Sequence, residues 1–312
     1  MIATRVVHCI ARIRDGDMAT IYDIAKHVGV SAGTVSRALS RPEKVLPDTR
    51  RRFEEAAQAA GYAVLLGDTE HQAEREERYA QMLPRNQADG MIVLGHRLPP
   101  TAREIVRQLG AKAPVVNGCE FDPTLGIPSV HIDNAAAARA AMEHLYGLGH
   151  ARIAVVGGPP DNPLHRQRLE GARAAASAHG RLDSLRAVPG DFSVESGYQA
   201  AARFLAEGSA PTAAFCFSDQ MALGVLAACR DLGIRVPEQF SVVGFDDLAS
   251  SRYLSPPLTT VSQPMREIGV RAARLLLAIL GAEDVPLQQT LDFSLVQRGS
   301  TAPPPLDPPV ER

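Results

Sequence analysis

The stretch Thr20–Leu39 constrains the fold most, because it sets two short helical patterns on either side of a glycine. In the first pattern, apolar residues recur at helical spacing over Ile21–Val28, and Gly29 then ends it. The second pattern begins at Ser31, a residue type that favours helix N-caps. Two helices joined by a short glycine-containing turn are the helix-turn-helix signature, although an ordinary helical corner in a core gives the same pattern. The stretch therefore predicts either a DNA-binding headpiece or such a corner.

The second helix of this motif presents a face that suits a DNA major groove. Its residues are small, hydroxylated or basic, and none is acidic; they are Ala32, Gly33, Thr34, Ser36 and Arg37. Small side chains let the backbone approach, hydroxyls reach phosphates, and a guanidinium can fork onto a guanine edge. This face is compatible with DNA binding, and the helical corner stays open on the pattern alone.

Because the chain carries a small net negative charge, any contact with DNA must come from a surface that is locally basic. The 312 residues hold 33 basic and 35 acidic side chains, a formal net charge of −2, so the chain as a whole does not attract nucleic acid. Over residues 20–62, seven basic residues oppose five acidic ones. This small excess is compatible with a DNA-binding face and also with an ordinary solvated surface.

The spacing of the cysteines and the length of the apolar runs indicate the cellular compartment of the protein. Its four cysteines lie far apart, without a C-x-x-C pair, which predicts free thiols, no metal and no cofactor. No apolar run approaches the roughly 18 residues of a membrane span, and the start lacks a secretory h-region. We therefore expect a cytoplasmic protein.

Beyond the motif, short apolar strands alternate with helices, which predicts parallel sheets covered on both faces. The fold class is α/β: a helix-turn-helix headpiece followed by two doubly wound parallel-sheet lobes. The predicted segments are an N-terminal extension (1–18), the helix-turn-helix domain (19–62), a two-lobed core (63–301) and a Pro-rich disordered tail (302–312). The extension shows only a weak helical pattern, and Met18 is an alternative start. Phe240–Asp246 is predicted to be the last parallel strand.

Ligands of open parallel sheets bind beyond the carboxyl ends of the strands, so the residues that follow each strand are the candidate site. Five side chains stand there, and they are Arg168, Phe192, Ser218, Asp219 and Asp246. An arginine, several oxygen acceptors and one aromatic face suit a neutral ring rich in hydroxyls. Taken singly, the aspartates are better explained as helix caps, the arginine as part of a surface ion pair and the phenylalanine as a core residue. Their grouping at strand ends favours a ligand site instead.

The chain resembles the LacI/GalR repressor family along most of its length. In the headpiece the resemblance rests on ATIYDIA, GVS and TVSRAL, and in the body on VHIDN, RLEGARAA, GDFSVESGYQA, FCFSDQMALG, FSVVGFDD and VQRGST. It implies a homodimeric transcriptional repressor with a periplasmic-binding-protein-like core, whose partners are a palindromic operator and a small effector. It also implies effector-binding roles for four of the strand-end residues, namely Arg168, Phe192, Ser218 and Asp246.

In the headpiece, the base-reading positions of the family correspond to Ala32 and Gly33, and its arginine corresponds to Arg37. Ala32 offers only a methyl contact to thymine and Gly33 offers no side chain, so Arg37 is expected to carry most of the direct readout. The hydroxyls expected to position the backbone on phosphates are those of Thr20, Ser31, Thr34 and Ser36.

Several stretches of the core, including DGMIVLGHRLP and NGCEFDPTLGIPSVHIDN, resemble the cytidine repressor branch, which implies a nucleoside effector. Two alternatives stay open: a sugar-responsive repressor of the same family, and a ligand-binding protein that no longer represses. An enzyme is disfavoured, because the chain has no G-x-S-x-G, P-loop or G-x-G-x-x-G motif.

The chain departs from the family directly after Gly61-Tyr62, where AVLLGD resembles the second core strand. The resemblance implies that about fifty residues are absent, among them the hinge helix, the first core helix and the first core strand, which doubly wound sheets place inside. The neighbours of that strand are expected to lose ladder partners, and the chain is expected to be a compromised repressor.

Overall fold

The computed structural model describes residues 6–12, 62–69, 72–206 and 211–305. The helix-turn-helix prediction, with all seven DNA-contact residues, lies outside this part of the chain. The described residues fall into two compact units. Unit 1 comprises the residues up to His131 together with residues 264–291, and unit 2 comprises residues 132–263 together with those from Asp292 onward. Within the described ranges, no helix is both long and apolar enough to cross a membrane.

Unit 1 is built on one six-stranded sheet with the spatial order β11-β5-β4-β3-β1-β2. Its strands are β1 (Val6–Arg12), β2 (Tyr62–Asp68), β3 (Gly90–Val93), β4 (Val115–Gly118), β5 (Ser129–Ile132) and β11 (Gln288–Leu291), and its helices are α1 (Ala73–Ala80), α2 (Pro100–Leu109) and α7 (Met265–Leu280). The pairs β3–β4 and β4–β5 are parallel, and their residues are buried throughout. Burial on both faces explains why these short strands are rich in apolar residues without the alternation of a half-exposed strand.

The N-terminal extension supplies a strand that the sequence did not predict. Val6–Arg12 is β1, and it runs antiparallel between β2 and β3. The expected loss of ladder partners at this place in the sheet is therefore wrong, because the backbone groups of β1 pair with both neighbours. The segment Val6–Arg12 is mostly apolar, and in so short a run periodicity alone does not distinguish a helix from a strand.

Unit 2 holds the second six-stranded sheet, with the order β12-β10-β9-β8-β6-β7. Its strands are β6 (Ile153–Val156), β7 (Leu185–Val188), β8 (Ala213–Cys216), β9 (Ser241–Asp246), β10 (Thr259–Ser262) and β12 (Ser294–Val296), and its helices are α3 (Asn134–Gly147), α4 (Pro163–Ala178), α5 (Val194–Leu205) and α6 (Asp219–Asp231). The strand order reverses between β6 and β8, which is where doubly wound sheets bind ligands.

Two boundaries differ from the sequence prediction. The strand β10 pairs in parallel with β9, so Phe240–Asp246 does not contain the last parallel strand. Ala302, the first residue of the predicted disordered tail, is hydrogen-bonded to the sheet: its N–H donates to Ser241 Oγ at 3.0 Å, and its carbonyl accepts from Ser241 Oγ at 3.0 Å. Both segments are short and gain their structure from distant partners, so local pattern does not reveal them.

The helices α5 and α6 pack backbone to backbone through two glycines. A Cβ on Gly197 would overlap the carbonyl oxygen of Met221, and one on Gly224 would overlap that of Val194. Since α6 begins at Asp219, directly after Ser218, this close packing fixes the start of the helix that carries two of the candidate site residues.

Candidate functional site

Arg168 lies in the interior of unit 2, on the first half of α4. Only 2% of the residue is exposed, its Nε donates to Asn134 Oδ1 at 2.9 Å, and its Nη1 donates to the carbonyl of Phe217. The guanidinium also stacks on the ring of Phe245, with 3.5 Å from Cζ to the ring centroid. A surface ion pair is therefore excluded, and the arginine is a buried cation held in one orientation.

Asp246 ends β9 with a backbone that is unusual for a residue other than glycine, at φ 112°. Its Oδ1 accepts a hydrogen bond from Gln263 Nε2 at 2.7 Å, and Gln263 itself follows β10. Phe192 and Asp247 also have positive φ, of 68° and 51°. Such conformations cost free energy and concentrate at ligand sites, so their grouping at this edge of unit 2 favours a functional role.

The carboxyl of Asp246 has a pKa raised to about 7, mainly because burial penalises the charged form. The positive charge of Arg168 lowers this pKa, the negative charge of Asp219 raises it, and the hydrogen bond from Gln263 lowers it. At neutral pH the carboxyl therefore exists in both protonation states, and it can either donate to or accept from a hydroxyl.

The raised pKa predicts a pH-dependent stability. An unfolded Asp has a pKa of about 3.9, so between about pH 4 and pH 7 the folded chain holds a proton that the unfolded chain has released. Asp246 therefore makes the free energy of unfolding fall as pH rises through that window, and the fall ends above it. The variant Asp246→Asn lacks this titration, so its stability relative to the parent chain is expected to rise from pH 4.5 to pH 7.5 in urea denaturation.

A matched control for this prediction is Asp183→Asn, which removes an exposed carboxylate in the same unit. It reports the effect of changing one surface charge on the same titration. A stability difference between Asp246→Asn and the parent chain that stays constant from pH 4.5 to pH 7.5 would contradict the assignment.

Phe192 presents an aromatic ring where β6 ends. The residue is 9% exposed, and its ring lies against Gly158, since a Cβ on that glycine would collide with the ring atoms. The ring therefore lies close to the backbone of Gly158, after β6, next to the point where the strand order reverses. A rigid aromatic surface there can stack on a flat or apolar ligand face.

Ser218 and Asp219 both form hydrogen bonds that stabilise the fold at this edge of unit 2. Ser218 caps α6, with its Oγ accepting from the N–H of Met221 at 3.2 Å. Asp219 accepts at Oδ2 from the N–H of Leu248 at 2.8 Å and from Ser251 Oγ at 2.5 Å. Its Oδ1 accepts from Thr260 Oγ1 at 2.5 Å.

These bonds make Asp219 an anchor for the loop that follows Asp246. Burial is the largest cause acting on its pKa, which is raised, while the hydrogen bonds from Ser251, Thr260 and Leu248 lower it. The helix-cap interpretation is wrong for Asp219, because Ser218 is the cap. The geometry favours a positioning role for Asp219 over direct contact with a ligand.

The sequence did not identify Asn134 or Gln263. Asn134, which is 2% exposed, orients Arg168, and Gln263, which is 8% exposed, binds Asp246. The strand-end rule would have found Gln263 if β10 had been recognised as a strand.

Unit 1 carries a separate polar cluster where β3 and β4 end. His96 Nδ1 and Glu120 Oε2 lie 2.8 Å apart, and both side chains are buried. Asn117 is 1% exposed and donates through Nδ2 to the carbonyls of Val93 and Gly95, while its buried Oδ1 has no hydrogen-bond partner in the described part of the chain. A buried acceptor of this kind is costly unless a further group satisfies it.

Two family models match the chain. One describes bacterial regulatory proteins of the lacI family and covers residues 20–64, which include the predicted helix-turn-helix. The other describes a periplasmic binding protein-like domain and covers residues 142–301, which include all five candidate site residues.

Curated relatives match over nearly their whole length. The chain is 36% identical over 330 residues to the HTH-type transcriptional repressor CytR of Escherichia coli strain K12, covering 91% of this chain and 96% of the relative. It is 29% identical over 325 residues to catabolite control protein A of Priestia megaterium, covering 89% and 96%. Because the 330 aligned residues exceed the 312 of this chain, the alignment with CytR requires a gap here.

Solved structures share the fold. A LacI family transcriptional regulator from Enterococcus faecium with bound ribose has a TM-score of 0.67 and 28% identity, over 73% of this chain and 85% of that one. The lac repressor dimer bound to operator and the anti-inducer ONPF has a TM-score of 0.66 and 30% identity, over 74% and 79%.

Proposed function

Because the chain belongs to the LacI family of bacterial regulatory proteins, we propose that it is a repressor whose affinity for a palindromic operator changes when a nucleoside, such as cytidine, binds its core. The operator partner follows from residues 20–64, and two-fold symmetry of a homodimer requires the palindrome. Operator DNA lies in the bacterial cytoplasm, and that is the proposed place of action.

The observation that carries the proposal is the gathering of Arg168, Asp246 and Phe192 at one edge of unit 2. A carboxyl, a buried guanidinium and an aromatic ring supply an acceptor, donors and a stacking surface. A nucleoside offers a vicinal diol and two ring systems to these groups. The Enterococcus faecium relative holds ribose, the sugar of a nucleoside, and the identity to the CytR repressor favours the same ligand class.

The experiment that tests the effector class is isothermal titration of the whole chain with cytidine, uridine, adenosine and ribose. Nucleoside binding with weaker or absent binding of ribose is the expected result, because the base adds contact area that the sugar lacks. Asp246→Ala is expected to lower the affinity at least tenfold. Binding of a free sugar alone would favour the alternative, a sugar-responsive repressor of the same family.

DNA recognition can be tested without knowing the operator. Selection from random duplexes by the whole chain is expected to recover a palindrome, and adding the nucleoside identified by titration is expected to change its affinity. Recovery of no preferred sequence would indicate instead a ligand-binding protein that no longer represses.

Arg37→Ala is expected to cost about 1–3 kcal/mol at one base pair of each half-site, because a bidentate contact to guanine is lost. Fluorescence anisotropy with the selected palindrome and with duplexes changed at single base pairs measures this loss. Ser36→Ala serves as the control, since loss of its expected phosphate contact would lower affinity for all duplexes alike. Equal weakening of specific and random DNA by Arg37→Ala would contradict its assigned role.

A further inference from the structure

The strand β1 is an interior member of the sheet of unit 1. Its seven residues pair with β2, from Val6 opposite Asp68 to Arg12 opposite Tyr62. On the other side, Val7 pairs with Val93 and Ile10 pairs with Gly90. Without β1, neither β2 nor β3 has a partner on its inner edge, and a row of backbone N–H and C=O groups is left unpaired.

The order β2-β1-β3-β4-β5 is that of a doubly wound sheet whose first strand lies second from one edge. Here β1 occupies that place in the opposite direction, antiparallel to both neighbours. An antiparallel pair needs only a returning connection, whereas a parallel pair needs a crossover. The chain leaves β1 at Arg12 and returns at Tyr62, so residues 13–61 are that returning connection.

We propose that the segment upstream of the helix-turn-helix completes the sheet of unit 1 and that the DNA-binding segment is thereby attached to this sheet at both ends. Arg12 and Tyr62 are directly opposite each other, so the two attachment points lie roughly 5 Å apart. The 49 residues between them contain the whole predicted motif. This attachment differs from a headpiece that hangs from a single linker.

The consequence for regulation rests on the proposed function. Any change that a ligand causes in the sheet of unit 1 moves both ends of the DNA-binding segment together, with no hinge helix required between motif and core. The attachment itself can be tested without DNA and without effector, so its failure is distinguishable from failure of the repressor proposal.

Cysteine pairing tests the register directly. Cys9 lies opposite Leu65 on one side and opposite Met91 on the other. The backbone N–H and C=O of one residue point to the same side, so one of these pairs is hydrogen-bonded and the other is not, with Cα separations of roughly 5.5 and 4.5 Å. Both separations fall in the range that a disulfide spans.

The two test variants are Leu65→Cys and Met91→Cys, each oxidised in the whole chain at low protein concentration. At least one of them is expected to form an intrachain bond to Cys9, mapped by mass spectrometry of the digested chain. The matched controls are Leu66→Cys and Ile92→Cys, which lie opposite His8 and project from the other face of the sheet. The controls are expected to leave Cys9 as a free thiol.

Other outcomes overturn the proposal. Bonds that join Cys9 of one chain to position 65 or 91 of another would place β1 in a second copy. Absence of a bond to Cys9 in both test variants, with the introduced thiols accessible to oxidation, would show that β1 is not between β2 and β3.

Hydrogen exchange of a strand-breaking variant gives a second readout. His8→Pro removes a backbone donor from a central strand, where proline is not tolerated. Peptides from β2 and β3 are expected to exchange at least tenfold faster, while those from β8 in unit 2 stay protected. His8→Ala, which keeps the backbone donor at the same position, is the control. Unchanged exchange of β2 and β3 in His8→Pro would contradict the proposal.

Discussion

Replacing Arg168 by methionine is expected to lower the free energy of unfolding of unit 2 by about 3–5 kcal/mol and to abolish effector binding. The side chain is 2% exposed, and its loss leaves Asn134 Oδ1 and the carbonyl of Phe217 without their donor. The charge that lowers the pKa of Asp246 also disappears. Buried polar groups without partners, and a carboxyl without its nearby cation, together explain the size of the effect.

Urea denaturation, followed by hydrogen exchange of peptides from unit 2, measures the loss. The control is Arg173→Met on the same helix, an exposed residue whose replacement is expected to change stability by less than about 0.5 kcal/mol. Arg168→Lys is expected to keep part of the stability, since it retains the charge, but not the two directed hydrogen bonds of a guanidinium. A loss of under about 1 kcal/mol for Arg168→Met would show that the arginine does not support the site.

Gly197→Ala is the second substitution with a large expected effect, a loss of about 3 kcal/mol or more in the stability of unit 2. In most helices, alanine in place of glycine stabilises by roughly 0.5–1 kcal/mol. Here the added methyl group would overlap the carbonyl of Met221, so α5 and α6 must separate. Because α6 begins at the candidate site, effector affinity is expected to fall with stability.

The matched control is Gly147→Ala at the end of α3, where a Cβ meets no atom within 4 Å. This variant is expected to be neutral or slightly stabilising in the same denaturation experiment. If the two variants changed stability alike, the backbone contact between α5 and α6 would have no energetic importance.

Sequence reasoning could nominate the candidate site because the strand-end rule depends only on local pattern. Arg168, Phe192 and Asp246 each follow or face a strand whose apolar run is recognisable without knowledge of its neighbours. Their roles, however, depend on partners far along the chain. Asp219 illustrates this, since a cap and an anchor look alike in sequence until Ser251 and Thr260 are known to reach the carboxylate.

The strand β1 could not be predicted for the same reason. Its partners begin fifty residues later, beyond the whole helix-turn-helix motif, and its pattern fits a buried helix or a buried strand equally. The strand β1 occupies the place in the sheet that the family's first strand would take, but it runs in the opposite direction. Its local sequence therefore does not indicate where in the sheet it lies.

The anchoring of the 247–251 loop by Asp219 limits how the specificity of this site can be engineered. One carboxylate holds Leu248, Ser251 and Thr260, so inserting or deleting residues in that loop would detach it from the sheet. Designs for a different effector should therefore keep the loop length and vary the side chains at 192, 246 and 263. Libraries built on those three positions are expected to yield far more folded variants than libraries of altered loop length.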